Sequence, residues 1–419
     1  MSPSAPSRPG RIALLALIGA VGLSTVVATP ATATTADCSR SLPAGTSTVS
    51  VPFAGTNFDV LVHVPDVAAD ESLPLVLDLH GSNSNGTVQA GISGLADVAD
   101  AEHFIVAEPT GAIAFPTTLE GGNWAWNVPG VPLTSGTLPP DGSRDDVAFL
   151  STVVESLSAS GCVDPGSVFA TGYSGGGRMA SALACTRADL FAAVAPVAGL
   201  RAGRADTADL STIEAGSCAP SQPVSVVTFH GIDDAVNPYL GNTDPRWGFS
   251  VPVAAAGWAV LDECDTVPTE TTITEQITLT TAADCADGTA VELYTIAGAG
   301  HTWPGTAVDL EASGLGVVNR DISASQLMWD FFAAHARSSA VTPTPEPTVE
   351  PTAEPTVAPT AAPTPTSTPT AVPTVVSTGS DGSALAATGV NAAAPLWLAL
   401  GLLLLGGVGI VRARRHSTR

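Results

Sequence analysis

Apolar positions along the chain fall into short runs separated by polar or glycine-rich breaks. Alternation in Thr48-Val-Ser-Val-Pro52, and again in Phe58-Asp-Val-Leu-Val-His-Val64, predicts two antiparallel strands between residues 47 and 65. Leu73-Pro-Leu-Val-Leu-Asp-Leu-His80 is denser, as in a strand covered on both faces. Helical spacing over 88–101 is followed by a strand at 104–108. Residues 121–140 read as a loop carrying Trp124 and Trp126, too long and aromatic for a plain connector. A helix is expected over 145–159, where Val147, Leu150, Val153, Val154 and Leu157 share a face. A short apolar strand then leads into a turn and a further helix, 167–180. Buried strands follow at 191–197 and 224–229, then a helix at 251–261, a strand at 289–296 and a last helix at 325–336. Strands alternate with helices. The expected class is therefore α/β, with a mainly parallel central sheet and helices on both faces.

Both ends of the chain break this pattern. Arg8 and Arg11, the apolar run 12–27 and the Ala31-Thr32-Ala33 site predict a secretory signal over 1–33, in preference to a retained membrane anchor. The folded part is expected over 34–339, large enough for one sizeable core. Over 340–384 proline and threonine dominate, which predicts a disordered, polyproline-like stalk, a candidate for O-glycosylation, on the order of 100 Å long if fully stretched. Residues 392–411 are apolar and about as long as a transmembrane helix requires. The tail 412–419 carries Arg412, Arg414, Arg415 and Arg419, which places it on the cytoplasmic side.

Candidate chemistry sits in the turn of the 167–180 segment. Gly172-Tyr173-Ser174-Gly175-Gly176 fits G-x-S-x-G, with a strand before it and a helix after it. In a nucleophile elbow the serine is raised above the sheet edge on a strained turn. The helix N-terminus behind it favours developing negative charge. A serine hydroxyl needs a base, an acid that orients the base, and donors for the oxyanion. The order serine, acid, histidine can be filled here. Asp233 and Asp234 follow the strand 224–229, and His301 lies in the glycine-rich loop after the strand 289–296. The Gly175 N–H is one expected oxyanion donor, and Ser82 or Asn83, in the loop after the third strand, supplies the other. His80 and His230 are expected to shape their loops by hydrogen bonding. Trp124, Trp126 and Trp303 are candidates for a substrate face, with core packing the competing reading.

These motifs together resemble the secreted feruloyl esterase and polyhydroxybutyrate depolymerase family of α/β-hydrolases. The resemblance spans roughly 47–336. It rests on Leu75-Val-Leu-Asp-Leu-His-Gly81, Asp145-Asp-Val-Ala-Phe-Leu150, Val168-Phe-Ala-Thr-Gly-Tyr-Ser-Gly-Gly-Gly-Arg-Met179, Phe191-Ala-Ala-Val-Ala-Pro-Val-Ala-Gly199, His230-Gly-Ile-Asp-Asp234 and Gly300-His-Thr-Trp-Pro-Gly305. It implies the α/β-hydrolase fold and hydrolysis of a carboxylic ester through an acyl-enzyme. The family's His-Gly-x-x-Asp pattern selects Asp234 over Asp233. Ile232 stands where a small or polar residue is usual, and 243–247 does not match the family's substrate-side residues. Similarity to the family also implies the disulfides Cys38–Cys162, Cys185–Cys218 and Cys264–Cys285; spacing alone leaves 15 pairings open. Leu385-Ala-Ala-Thr-Gly389 resembles the Leu-Ala-x-Thr-Gly signals read by cell-wall sortases, which implies cleavage between Thr388 and Gly389 and anchoring to the wall.

Composition narrows the readings further. A net charge of −24 without a basic patch argues against nucleic acid as partner. An even number of cysteines behind an export signal favours disulfides, and no C-x-x-C points to zinc. No metal and no cofactor are expected. The expected partners are an ester-bearing polymer or oligomer, a sortase and the wall, with a monomeric catalytic domain. The leading reading is an exported serine esterase acting on feruloyl or similar esters of plant cell-wall polysaccharide. A polyhydroxybutyrate depolymerase and a peptidase are alternatives, as is an inactive surface-displayed binding protein on a hydrolase scaffold.

Overall fold

The computed structural model describes residues 38–115, 122–265 and 267–338. The expected signal, stalk, sorting motif, transmembrane helix and tail lie outside these residues. Among the described residues no helix is long and apolar enough to cross a membrane.

Among the described residues twelve strands and six α-helices follow one another. The strands are β1 (Gly45–Phe53), β2 (Thr56–Val64), β3 (Leu73–Leu79), β4 (Ile105–Glu108), β5 (Ile113–Ala114), β6 (Trp124–Ala125), β7 (Val163–Tyr173), β8 (Ala193–Val197), β9 (Ser225–Gly231), β10 (Thr269–Thr272), β11 (Ile277–Ala282) and β12 (Val291–Ile296). The helices are α1 (Gly86–Ser93), α2 (Leu95–Glu102), α3 (Asp146–Gly161), α4 (Gly175–Thr186), α5 (Val251–Leu261) and α6 (Ala324–Ala334).

Ten strands form one sheet in the order β1-β2-β4-β3-β7-β8-β9-β12-β11-β10. The stretch from β4 to β12 is parallel throughout, and both edges are antiparallel. The two faces build separate cores, as the period of two along a strand requires. Leu75, Leu77 and Leu79 of β3 join one core with Phe149 and Leu150 of α3, Met179 of α4 and Trp258 of α5. Val76 of β3 and Phe169 of β7 point the other way, onto Leu95 of α2 and Phe332 of α6. Helices therefore cover both faces, as the apolar runs predict.

Two details differ from the sequence reading. The helix expected over 88–101 is two helices, because Gly94 between them is left-handed, with φ 60°. Glycine takes that conformation without the steric cost a side chain brings. The threonine-rich segment before β12 contributes β10 and β11, which extend the sheet beyond the strand expected at 289–296. The six cysteines pair as Cys38–Cys162, Cys185–Cys218 and Cys264–Cys285. The last of these closes the segment that carries β10 and β11.

Candidate active site

β3, β7, β8, β9 and β12 run parallel, so their carboxyl ends open on one edge of the sheet. In open α/β sheets that edge is where ligands bind. Ser174 lies there, between the end of β7 and the start of α4, with φ 54° and ψ −110°. A non-glycine residue in such a conformation stores about 1–3 kcal/mol of strain. Its surroundings impose it. Ser174 N–H donates to the Val197 carbonyl at 2.8 Å, and the Ser174 carbonyl accepts from Arg178 N–H at 3.0 Å. The turn tolerates no bulk beside it. A Cβ at Gly172 would lie 2.6 Å from both the Leu79 carbonyl oxygen and the Gly176 backbone, and one at Gly176 would collide with Leu79.

The candidate acid lies in the turn after β9. Asp234 is buried, whereas Asp233 is exposed, with its backbone N–H donating to the Ala299 carbonyl. Asp234 Oδ1 accepts from Val236 N–H at 2.8 Å and Asn237 N–H at 2.7 Å. Its Oδ2 accepts from His301 Nδ1 at 2.6 Å and lies 3.4 Å from His230 Nε2. Burial by itself raises this carboxyl. The hydrogen bonds from His230 and His301, with their charges, overcome that effect and hold Asp234 well below the usual carboxylate range.

His301 is clamped from three sides. Its N–H donates to the Leu315 carbonyl at 2.7 Å, its carbonyl accepts from the Tyr173 hydroxyl, and its ring lies 5.1 Å from the Tyr173 ring. Tyr173 immediately precedes Ser174, so the same residue carries the nucleophile candidate and seats the imidazole. Burial first, then the Asp234 charge, pushes the Tyr173 phenol up, so it stays protonated and donates. Sequence reasoning gave Tyr173 no role beyond a variable position in G-x-S-x-G. Among the described residues no hydrogen bond joins Ser174 Oγ to the imidazole. Such bonds commonly tighten only when substrate arrives.

The third loop follows β3. His80 Nε2 accepts from Gly111 N–H at 2.9 Å, which places the ring proton on Nδ1, bonded to the Gly81 carbonyl at 2.7 Å. Burial pushes this imidazole down to about 4, so it stays neutral at ordinary pH. Trp126 Nε1 donates to the His80 carbonyl at 2.8 Å. The chain is thereby fixed as it enters Gly81-Ser82-Asn83. The two candidates for the second oxyanion donor separate here. Asn83 N–H is committed to the Trp124 carbonyl at 2.9 Å, which removes it as a donor. Ser82 N–H has no acceptor among the described residues and lies against Gly175, where an added Cβ would come within 3.0 Å of it.

The three tryptophans part company. Trp126 is mostly buried and lines a cleft with Ser82, Gly175 and Arg178. Trp124 is half-buried in β6, and its backbone pairs with Ser84 to hold the same loop. Trp303 is a correction. It is 0% exposed, and its indole N–H donates to Ser325 Oγ of α6 at 3.0 Å, so it has no face to offer a substrate.

A mainly parallel sheet wrapped by helices, with its serine raised at a strand-to-helix turn, makes the chain an α/β-hydrolase. No protein-family model matches it. Among curated proteins it is 30% identical over 282 residues to a Nocardia uniformis subsp. tsuyamanensis protein named "Putative esterase NocK", covering 63% of this chain and 75% of that one. It is 29% identical over 252 residues to "Feruloyl esterase B" of Piromyces equi, covering 58% of this chain but 42% of that relative. Among solved structures, an acetyl xylan esterase from Aspergillus awamori aligns over 69% of this chain and 99% of its own, at 19% identity and a TM-score of 0.43. The chain belongs to the esterase family that contains the Nocardia protein, and it is a carboxylic-ester hydrolase.

Proposed function

We propose that this esterase works through Ser174, His301 and Asp234 and cleaves feruloyl or similar esters of plant cell-wall polysaccharide. The observation that carries the catalytic reading is the 2.6 Å bond between buried Asp234 and His301 Nδ1, at the sheet edge that bears the strained Ser174. The bond fixes the proton on Nδ1 and leaves Nε2 as the basic nitrogen. Ser174 Oγ attacks the ester carbonyl as its proton passes to Nε2. The tetrahedral oxyanion is held by the N–H groups of Gly175 and Ser82. The C–O bond to the alcohol then breaks, and the alcohol leaves with the proton from Nε2. Water, deprotonated by the same nitrogen, attacks the acyl-serine, and the acid leaves as Ser174 recovers its proton.

The substrate reading draws support from the feruloyl esterases among the relatives and from Trp126, which lines the same cleft as Gly175. A panel of methyl ferulate, acetylated xylan and hydroxybutyrate oligomers, run beside Ser174→Ala, tests it. Methyl ferulate is expected to be turned over fastest. Preference for the hydroxybutyrate oligomers would make the protein a depolymerase of that polyester instead.

Activity is expected to fall on acidification through a single protonation. The imidazole must be neutral to accept a proton, whereas Asp234 lies well below the usual carboxylate range and stays ionised. The sign for stability follows from the same depression. Asp234 stabilises the fold above its unfolded pKa, and that contribution is lost only as pH falls through its lower folded pKa. A kcat/KM profile with a limiting acid slope of about one supports this, and a slope near two between roughly pH 4 and 6 contradicts it.

We also propose that the enzyme is exported, cut at Thr388 and displayed on the cell wall by its Pro/Thr stalk, facing polymer too large to enter. Three disulfides fit an oxidising compartment. Release by wall-digesting enzyme and a mature C-terminus at Thr388 are expected. Detergent extraction of a chain retaining 389–419 would make it a membrane-tethered esterase.

A further inference from the structure

Two arginines are buried beside the site without an ion pair of their own among the described residues; the Asp244 carboxylate acts on Arg178 but is itself paired with Arg246. Arg178 lies on α4, one turn after Ser174, and Arg201 follows β8. Each is 5% exposed. Among the described residues the Arg178 guanidinium makes no hydrogen bond, and its Nε and Nη1 are both buried and unpartnered. Arg201 donates Nη1 to the Trp247 carbonyl, but its Nε is likewise buried and unpartnered. The other arginines nearby are neutralised. Arg204 pairs with Glu214 at 2.9 Å, and Arg246 is paired with Asp244.

Aromatic rings account for only part of this arrangement. Arg178 lies over the Trp247 ring at 4.4 Å, and Arg201 over the Phe249 ring at 3.8 Å. Such contacts offset only part of the cost of burying each ion. They engage the faces of the guanidinium groups and leave N–H donors along the edges unsatisfied. The residues 243–247, which depart from the family pattern, include Trp247 and thus help to build this arrangement.

A cavity of about 50 Å³ is lined by Arg178, Ser181, Arg201 and Ser217. One water needs only about 10–15 Å³ of such space, so the cavity suits a group of a few heavy atoms. Arg178, with Val128 and Val131, also lines the cleft that holds Ser82 and Gly175, so the cavity and that cleft share a wall. Burial, reinforced for Arg201 by the charge of Arg178, pushes Arg178 down to about 10 and Arg201 to about 9. Both remain charged at neutral pH.

We propose that Arg178 and Arg201 form an anion subsite that takes a carboxylate, reached from the catalytic cleft. The carboxylate is either carried by the ester substrate or is a free small carboxylate. The substrate-borne form rests on the Ser174 reading above. Planar guanidinium edges match carboxylate geometry, and charge-assisted bonds are stronger than neutral ones.

The test compares esters that differ only by a terminal carboxylate: monomethyl glutarate with methyl valerate, and monomethyl adipate with methyl caproate, followed by pH-stat. Acetate and glutarate binding to the full protein is measured by calorimetry alongside. If the substrate carries the anion, kcat/KM favours one charged ester by about tenfold or more, and Arg178→Gln or Arg201→Gln brings the ratio back toward one. If the anion is free, there is no such preference, but acetate or glutarate binds and Arg201→Gln abolishes the binding. Absence of both effects in the unaltered protein overturns the proposal without relying on any variant. So does a preference or binding that survives both substitutions. Hydrolysis of the neutral esters in the same assay keeps the Ser174 reading separate: it can stand while the subsite fails.

Discussion

Ser174→Ala is expected to abolish ester hydrolysis while leaving the fold intact. The side chain is the proposed nucleophile, and nothing else in the turn depends on its hydroxyl. The bonds that hold the turn run from the Ser174 backbone to Val197 and Arg178. Alanine can keep those bonds. In serine hydrolases loss of the nucleophile costs on the order of 10⁶ in kcat, and what remains reflects the oxyanion donors and binding. The measurement is kcat on a chromogenic short-chain ester, with circular dichroism and thermal melting as controls. A folded variant that retains more than a few per cent of activity would move the nucleophile elsewhere.

His301→Ala and Asp234→Asn carry the next largest effects. Removing the imidazole leaves Ser174 without a base, so a loss comparable to that of Ser174→Ala is expected. Asp234→Asn is expected to cost less, on the order of 10⁴, because the histidine remains but loses its orienting charge. An amide at 234 can also present its N–H₂ toward Nδ1, which favours the wrong tautomer. Triad members act as a unit, so the double variant should be little worse than His301→Ala alone. Asp233→Asn should be mild, because that carboxylate is exposed and the bond to the Ala299 carbonyl comes from the Asp233 backbone, which the substitution keeps. If Asp233→Asn were the crippling change and Asp234→Asn the mild one, the acid would be misassigned by one residue.

The sequence shows the parts of the molecule that depend on local pattern. β3, β7, β8 and β9 appear as dense apolar runs because both faces of the sheet are covered. The G-x-S-x-G turn appears because its glycines answer a steric demand within five residues. Asp234 is separable from Asp233 only through the family's spacing, and its burial agrees with that choice. Other features arise from distant contacts. β10 is Thr269–Thr272, exposed along its whole length, so no apolar alternation marks it. Trp303 sits beside His301 in sequence and looks like a site residue; only the approach of α6, with Ser325, buries it. Asn83 and Ser82 are equivalent oxyanion candidates until the β6 segment pairs with the loop and takes the Asn83 N–H. Arg178 and Arg201 read as ordinary charges, because their lack of an ion pair among the described residues is set by the convergence of α4, the end of β8 and residues 243–249.

The most direct test of the account is to treat the full protein with a fluorophosphonate, which phosphonylates an activated serine with loss of fluoride, and to map the adduct by peptide mass spectrometry. One adduct per chain is expected, on Ser174, formed in step with loss of esterase activity and absent from His301→Ala on the same timescale. An adduct on a different serine, or full inactivation with Ser174 unmodified, would contradict it.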